Sequence, residues 1–403
     1  MPVHWQKKQN YMNKKDITQI KNLDGKRVFL TCDFNISLKN GSLTNDTRIR
    51  EVIPTIKYLL RRNCHLILAS HLGRPKRHDL TFSLKPVAKR LEKFLGLPVE
   101  LVDYYWQDKA LPLINKISPE KIVLLENIRF YKGEKNNDPE YSAHLAKMAD
   151  IFVNDAFGAS HRVHASIVGI AKFLPGYAGL LLKKEIDMLQ KALHNPQRPL
   201  LVFIGGAKTP EKISVIEKLL DKADSVALGG AIANTFLAAW GFGMGQSLVD
   251  YEMVEMARTV FWEATRKHSA LILPIDVVIQ NSHTKNKPQI VNYDLVPSDV
   301  AIFDIGPQTN LLYRKLIHNA KTIIWNGPMG YYENKLFQKG TDRLLKDIVQ
   351  ADAFKIIGGG DTLSFIGNQK YLNHFNHVST GGSAMLEYLK NGTLPGIEVL
   401  QNN

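Results

Sequence analysis

Short apolar runs alternate along the chain with longer segments in which apolar residues recur at helical spacing. The runs are rich in Val, Ile, Leu and Phe and are bounded by turn residues, as is typical of buried strands. The longer segments predict helices, for example residues 84–95 behind Ser83 as an N-cap. The predicted strands are residues 27–32, 65–70, 122–125, 151–153, 200–204, 300–304, 322–325 and 354–357.

This alternation predicts an α/β fold of two doubly wound, Rossmann-like parallel sheets, each covered by helices on both faces. Residues 183–193 are charged and amphipathic, and they predict a helix that joins the two domains as a hinge. We therefore expect a first domain over residues 1–185 and a second over residues 186–389. Ligands of such sheets bind where the parallel strands end.

The composition fits this fold and excludes other classes. With 403 residues, 44% apolar and 22% charged, the chain is long enough for two cores and is too apolar to stay disordered. Cys32 and Cys64 each lie in an apolar run and predict buried thiols, without metal-ligand or disulfide spacing.

One segment could suggest a membrane span. Residues 225–249 carry no charge, but they include five glycines together with Asn234 and Gln246, which favours strand, turn and helix over a bilayer segment. The polar, basic start of the chain does not resemble a secretory signal. We expect a cytoplasmic protein without a membrane partner.

Positive charge is concentrated in the first half. Residues 1–190 carry 31 Lys and Arg against 19 Asp and Glu, whereas the remainder carries 21 against 19. Nucleic acid, a membrane surface or a small acidic metabolite would each suit such a surface, and composition alone leaves the three open. Because the chain lacks an aromatic-rich RNA motif and a continuous basic helix, we expect no nucleic-acid partner.

Arginines and histidines follow the predicted strands of the first half. A guanidinium group is a permanently charged fork suited to phosphate or carboxylate, so several of them at one sheet edge predict a multiply anionic small ligand. Asp33 and Asn35 on their own would more often bond to local backbone in a turn. The candidate residues are Asp33, Asn35, Arg48, His71, Arg74, Arg129 and Arg162.

Three glycine turns follow predicted strands in the second half. Glycine turns that open helices expose backbone N–H groups to phosphate oxygens, and nearby lysines add charge. The Walker, protein-kinase and dinucleotide patterns are all missing, so another class of phosphate-binding protein is indicated. The turns are residues 205–212, with Lys208 and Lys212, residues 358–362, with Asp361 as a candidate Mg²⁺ ligand, and residues 379–383.

Taken in order, these segments resemble the phosphoglycerate kinase family from about residue 25 to residue 400. The resemblance implies a kinase that moves a phosphoryl group reversibly between 1,3-bisphosphoglycerate and ADP, giving 3-phosphoglycerate and ATP in glycolysis and gluconeogenesis. It also implies Mg²⁺ bound with ADP or ATP, a carboxyl group as acceptor and a monomer. The most specific segments are residues 70–75, 153–166, 205–212, 325–333, 358–362 and 379–387.

The resemblance assigns one ligand to each domain. The C-terminal segment, about residues 390–403, is expected to pack back on the first domain. Phosphoglycerate is expected to bind through Asp33, Phe34, Asn35, Arg48, His71, Leu72, Gly73, Arg74, Arg129 and Arg162 of that domain. The nucleotide is expected to bind through Lys208, Lys212, Glu333, Gly359, Gly360, Asp361 and Thr362 of the second domain, with Asp361 as the metal contact.

The implied reaction needs no general base, because a phosphate oxygen of ADP and a carboxylate are both ionised at neutral pH. We expect Arg48, Lys208 and the backbone N–H groups of Gly359 and Gly381 to surround the transferring phosphoryl group as catalytic contacts. Since the two ligand sets lie on different predicted domains, hinge closure is expected to join them.

The sequence also departs from the family pattern. Thr31 stands where the family usually has Arg, and Ser37 where it has Pro. Glu211 and Ser383 replace the usual residues in two glycine turns, and residues 1–11 begin ahead of the motifs. A catalytically impaired member acting as a binding or scaffold protein therefore stays open, as does an NAD-linked dehydrogenase that shares only the sheet type.

Overall fold

The computed structural model describes residues 13–39, 41–106, 110–115, 120–207, 209–267, 269–281, 283–284, 287–367 and 369–403. The chain divides into two compact units, one of Met1–Ile186 with Thr393–Asn403 and one of Asp187–Gly392. Each unit contains a six-stranded sheet whose strands are all parallel. The predicted α/β class with two parallel sheets is confirmed.

The sheet of the first unit has the strand order β5-β6-β4-β1-β7-β8. Its strands are β1 Arg27–Thr31, β4 His65–Ala69, β5 Val99–Val102, β6 Ile122–Leu125, β7 Ile151–Asn154 and β8 Gly176–Ala178, and β2 Leu38–Lys39 and β3 Ser42–Leu43 form a separate antiparallel hairpin. The helices are α1 Thr47–Leu60, α2 Lys85–Leu95, α3 Ala110–Asn115, α4 Lys132–Lys135, α5 Pro139–Ala146 and α6 Leu180–His194.

Helices cover both faces of this sheet, so its strands are apolar at nearly every position. Val28, Phe29 and Leu30 of β1 are fully buried, as expected for a parallel strand with no face toward water. In β1 and β4 Arg27 pairs with His65 and Thr31 pairs with Ala69, so both strands end at the same level. The loops that follow them therefore meet at one edge of the sheet.

The sheet of the second unit has the strand order β11-β10-β9-β15-β16-β17. Its strands are β9 Leu200–Ile204, β10 Ser225–Leu228, β11 Ala270–Ile272, β15 Thr322–Asn326, β16 Phe354–Gly358 and β17 His377–Val378, and β12 Asp276–Gln280, β13 Gln289–Asn292 and β14 Ala301–Ile305 form an antiparallel sheet. The helices are α7 Thr209–Leu219, α8 Gly230–Ala239, α9 Val254–Arg266, α10 Pro307–Asn319, α11 Lys339–Gln350, α12 Gly360–Ile366, α13 Gln369–Leu372 and α14 Gly382–Asn391.

The C-terminal residues belong to the first unit, where they include α15, Pro395–Glu398. The buried ammonium group of Lys14 donates hydrogen bonds to the carbonyl oxygens of Glu398 (2.7 Å) and Leu400 (2.8 Å) and to Oδ1 of Asn402 (2.8 Å). The Gly396 carbonyl accepts a hydrogen bond from Asn154 Nδ2 at 2.8 Å. These bonds attach the C-terminal segment to Lys14, ahead of β1, and to Asn154 at the end of β7.

In the part of the chain that the structure describes, no helix is both long enough and apolar enough to cross a membrane. The charge-free residues 225–249 instead form β10, α8 and the loop after it.

Candidate active site

An ion pair lies at the carboxyl edge of the first sheet. Asp33 follows β1, and its Oδ2 lies 2.7 Å from Nη1 of Arg48 in the first turn of α1. Asp33 is 8% exposed, and its Oδ1 accepts a hydrogen bond from the Asn35 N–H at 3.1 Å. Burial by itself would raise the pKa of Asp33. The positive charge of Arg48 and the hydrogen bond from the Asn35 N–H outweigh that effect, so the pKa of Asp33 lies below its usual range. The carboxylate is ionised at neutral pH and fixes Arg48 in place.

Gly73 joins the loops that follow β1, β4 and β6. Its N–H donates to Oδ1 of Asn35 at 2.9 Å, and its carbonyl accepts from Nη1 of Arg129 at 2.7 Å. The φ angle of Gly73 is 64°, a left-handed conformation that favours glycine. The loop residues predicted from three separate strands therefore form one hydrogen-bonded assembly.

The backbone of this assembly is fixed by buried polar groups. Oγ of Ser70 accepts the N–H of Phe34 at 2.8 Å, and Nδ2 of Asn127 donates to the carbonyl of Leu72 at 2.7 Å. The side chains of Phe34 and Leu72 are buried in the apolar core, so these two predicted residues contribute through their backbone. Asn127 was not among the predicted residues, and nothing in its local sequence separates it from an ordinary turn asparagine.

His71 is uncharged in this environment. Burial lowers its pKa to about 3, and the nearby charges of Arg129, Arg48 and Arg162 act in the same direction against the opposing effect of Asp33. A neutral imidazole can donate one hydrogen bond and accept another. His71 therefore presents a polar group to the site without adding a charge.

Arg129 is a buried cation with unused donors. It is 6% exposed, and within the described part of the chain its Nε and Nη2 atoms have no hydrogen-bond partner. Burial, assisted by the nearby charges of Arg162 and Arg74, lowers its pKa to about 10. Leaving buried guanidinium donors unsatisfied is costly. The arrangement indicates an anionic ligand at this edge, beside Arg129, Arg74 and Arg162.

Glu134 and Ser166 border this cluster and were not predicted. Ser166 donates its N–H and its hydroxyl to the Glu134 carboxylate at 3.0 and 2.8 Å, and its carbonyl accepts the Thr31 hydroxyl at 2.8 Å. Thr31 is 1% exposed. The position where the family usually has Arg is thus filled by a buried hydroxyl that supports the backbone beside the site.

The second unit holds a cavity of about 370 Å³ above the strand ends of its sheet. Leu248, Val277 and Phe303 provide apolar wall, and the cavity also reaches two predicted nucleotide contacts, Glu333 and Asp361. A mostly apolar cleft with a few polar groups at its edge is typical of a cofactor or nucleotide site. The lining residues with side-chain oxygen atoms include Asn234, Gln246, Asp304, Tyr331, Tyr332, Glu333 and Asp361.

The glycine turns of the second unit pack closely on one another. Gly359 has a φ angle of 107°, and an added Cβ at Gly382 would lie 2.5 Å from the Gly359 Cα atom. The second and third glycine turns therefore meet, which brings Gly359 beside Gly381. Thr362 is fully buried, and its hydroxyl accepts the N–H of Gly327 at 2.8 Å. This hydrogen bond holds the turn at Gly327 against the first turn of α12.

The structure describes only one of the two lysines predicted to bind the nucleotide. The ammonium group of Lys212 is largely buried and donates a hydrogen bond to the carbonyl of Gly205 at the end of β9. Lys208, a predicted catalytic and nucleotide contact, lies outside the described residues. Within the first glycine turn, the structure therefore describes every residue of 205–212 except Lys208.

Asp304 is a further acidic residue of the cavity that was not predicted. Burial raises its pKa to about 7, although the N–H groups of Gly340 (2.7 Å) and Ile305 (2.9 Å) donate to its carboxylate and oppose the shift. It ties the end of β14 to the start of α11. Its apolar strand gave no signal of this role, because the partner residue is distant in sequence.

The donor set at Asp361 suits a metal that arrives with a nucleotide. Among the described residues, no three His, Cys, Asp or Glu side chains lie close enough to form a metal site of their own. Mg²⁺ is commonly held by one or two carboxylates together with phosphate oxygens and water. Asp361 is exposed in the first turn of α12, at the edge of the cavity, and it fits that pattern.

The arginine cluster of the first unit and the glycine-lined cavity of the second place the chain in the class of two-unit, parallel-sheet α/β proteins with sites suited to anionic ligands. The family model described as phosphoglycerate kinase matches residues 17–392. The chain therefore belongs to the phosphoglycerate kinase family.

Individual relatives agree over nearly the whole chain. The phosphoglycerate kinase of Dictyoglomus turgidum is 44% identical over 395 residues, which are 97% of this chain and 100% of that protein. That of Finegoldia magna is 42% identical and covers 96% of this chain and 99% of its own. The solved phosphoglycerate kinases of Coxiella burnetii and Pyrococcus horikoshii are 39% and 31% identical, with TM-scores of 0.85 and 0.83, and each match covers 96% of this chain and 98% of the solved chain.

Proposed function

We propose that the protein catalyses reversible, Mg²⁺-dependent phosphoryl transfer between 1,3-bisphosphoglycerate and ADP, giving 3-phosphoglycerate and ATP. It acts as a cytoplasmic monomer on small molecules in glycolysis and gluconeogenesis. The observation that carries the proposal is the buried Arg129 guanidinium, whose Nε and Nη2 lack partners among the described residues, within a cluster of arginines. Such a cluster calls for a ligand with more than one negative charge.

In this proposal the first unit binds phosphoglycerate. Arg129, with Arg74 and Arg162, pairs with its anionic groups, and the neutral His71 donates or accepts a hydrogen bond. Arg48 stays 30% exposed while Asp33 holds its guanidinium at 2.7 Å. A fixed cation that is still partly open to solvent suits contact with a phosphoryl group in transit.

The second unit binds the nucleotide. The apolar wall at Leu248, Val277 and Phe303 takes the base, and the carboxylate of Glu333 accepts hydrogen bonds from the ribose hydroxyls. Lys208, Lys212 and the backbone of Gly359 and Gly360 bind the phosphates at helix starts. When bound with the nucleotide through Asp361, Mg²⁺ would neutralise phosphate charge.

The chemistry then depends on alignment and charge. The attacking oxygen is already ionised in either direction, so the protein needs no group to remove a proton. Arg48, Lys208 and the N–H groups of Gly359 and Gly381 stabilise the charge that spreads over the transferring phosphoryl group.

Titration calorimetry with ADP, with and without Mg²⁺, tests the nucleotide half of the proposal. We expect Mg²⁺ to tighten ADP binding by the parent protein, and Asp361→Asn to remove roughly tenfold of that gain, because a charged contact is lost. Asp352→Asn is the matched control, since Asp352 is fully exposed and does not line the cavity. An unchanged Mg²⁺ effect in Asp361→Asn, or preferential binding of NAD⁺, would contradict the proposal.

A further inference from the structure

The first unit also holds a cavity, which shares none of the residues predicted to bind phosphoglycerate. It measures about 840 Å³ and runs along α2, facing the β2–β3 hairpin. The helix contributes Lys85, Lys89, Arg90 and Lys93 to its lining. We call this feature the α2 groove.

The lysines of the α2 groove form a regular row of unpaired charge. Lys85, Lys89 and Lys93 are exposed and recur every four residues, so they rise by roughly 6 Å each along one side of the helix. Within the described residues none of the three forms an ion pair. Arg90 differs, because it pairs with Asp46 at 3.0 Å and lies 6.0 Å from the Phe94 ring centroid.

The carboxylates at the groove do not neutralise this row. Glu126 accepts hydrogen bonds from the Ser83 hydroxyl (2.6 Å) and from the N–H groups of Leu84 (2.7 Å) and Asn127 (2.8 Å). Asp103 lies 3.0 Å from Nε2 of His78. Both acids are therefore engaged locally, and the three lysines are left to an external anion.

Four leucines contribute an aliphatic part to the lining. Leu80 is 65% exposed, and Leu38, Leu43 and Leu101 are half-buried. Among the described residues, the lining includes no aromatic side chain on which a nucleic-acid base could stack. The groove therefore suits an occupant with one anionic side and one aliphatic side.

Neither the N-terminal residues of this chain nor a second copy of it has the charge needed to bind in the α2 groove. Residues 1–12 contain Lys7 and Lys8 and no acidic residue, and a second copy of the chain carries a net charge of +14. Like charges at the row of lysines would oppose either one.

We propose that the α2 groove is a docking site for an acidic amphipathic helix of a partner protein. Carboxylates spaced four residues apart on such a helix have the same roughly 6 Å repeat as Lys85, Lys89 and Lys93, and leucine-type residues on the adjoining face cover Leu80. Spacing and charge thus match over roughly 12 Å, or about two helical turns.

Fluorescence anisotropy with the full chain tests this site. The probe is a labelled helical peptide of about 16 residues, with glutamate at every fourth position and leucines on the adjoining face. We expect a Kd below about 100 µM at low salt, and weaker binding as salt rises. The triple variant Lys85→Gln, Lys89→Gln, Lys93→Gln should bind roughly tenfold more weakly.

Matched control variants distinguish binding at the α2 groove from non-specific attraction of the peptide to a positively charged protein. Lys57→Gln, Lys147→Gln, Lys172→Gln removes the same charge from exposed positions outside the groove and should change Kd by less than about twofold. Leu80→Asn should weaken binding several-fold, while Leu311→Asn, at another exposed leucine, should not. Circular dichroism checks that each variant is folded.

Several results would overturn the proposal. These are equal binding of a scrambled peptide of the same composition, equal loss in both triple variants, and no binding below about 1 mM. Capture of single-stranded RNA or of phosphatidylserine vesicles through the three lysines, without binding of the peptide, would assign the groove to another class of partner.

Discussion

Arg48 shows that a residue's role can be predicted from sequence although the partner that positions its side chain cannot. Its position after a strand in a basic half of the chain suggested an anion contact, and the structure adds the ion pair with buried Asp33 at 2.7 Å. Two residues further along α1, Arg50 pairs with Asp46 at 2.6 Å and is exposed. The same helix therefore supplies both a candidate catalytic arginine and a matched control.

Arg48→Ala should reduce kcat on the order of 10²-fold, with a smaller effect on KM for either substrate, because its charge is proposed to act mainly in the transition state. Arg50→Ala should stay close to the parent, since an exposed ion pair contributes little. Steady-state kinetics of ATP formation measures both. Turnover of Arg48→Ala within about twofold of the parent would remove Arg48 from the proposed mechanism.

At the residue scale, the sequence identified the site residues that follow strands. It missed the buried polar residues that support the backbone around those sites. Asp33, His71 and Arg129 stand at strand ends, where the fold class itself directs attention. Glu134 and Asp304 lie in segments without a recognisable motif, and their roles come from contacts with Ser166 and Gly340, which are distant along the chain. Such contacts arise only once the chain is folded.

At the element scale, Asp155, which follows β7, and Thr55 of α1 anchor the start of α6. Oδ1 of Asp155 accepts the N–H of Leu182 at 3.0 Å, and Oγ1 of Thr55 accepts that of Leu180 at 3.0 Å. These bonds satisfy N–H groups in the first turn of the helix that have no partner within it. Asp155 is fully buried, and burial raises its pKa to about 7.

The stability of the protein should carry a pH dependence from Asp155. Its folded-state pKa of about 7 lies above the ordinary 3.8, so between about pH 7 and pH 4 the folded state binds a proton that the unfolded state lacks. Lowering the pH from 8 to 5 should therefore raise the contribution of Asp155 to the free energy of unfolding, by on the order of 1–3 kcal/mol. Urea unfolding at several pH values measures the trend.

Asp155→Asn should lack this contribution, so the difference in stability between parent and variant should shift in favour of the parent as the pH falls. Asp150→Asn is the control: a hydrogen bond from Arg27 holds the pKa of Asp150 below its usual value, so its effect should change only below about pH 4. Parallel curves for the parent and Asp155→Asn between pH 8 and pH 5 would show that this prediction is wrong.

The strands and glycine turns were predictable at this scale because parallel strands buried on both faces read as continuous apolar runs. Residues 300–304 were predicted as a strand, but their pattern does not show that β14 joins an antiparallel sheet with β12 and β13. Strand partners depend on tertiary packing, which local periodicity does not encode.

At the scale of the whole molecule, the excess of positive charge in the first half of the chain coincides with the arginine cluster of the first unit. The arginine cluster lies in the first unit, and the cavity with the glycine turns lies in the second. Composition predicted an anionic ligand for the first half, and the nucleotide assignment came from motif resemblance. The family is established by matches that cover nearly the whole chain.

The most direct test is ATP formation by the purified full chain from 1,3-bisphosphoglycerate and ADP, followed with luciferase in the presence and absence of Mg²⁺. The account predicts steady turnover that requires all three components, on the order of 1 s⁻¹ or faster. A protein that binds both substrates but forms no ATP above the enzyme-free blank would contradict it, and would favour a binding role in which Thr31 marks the loss of catalysis.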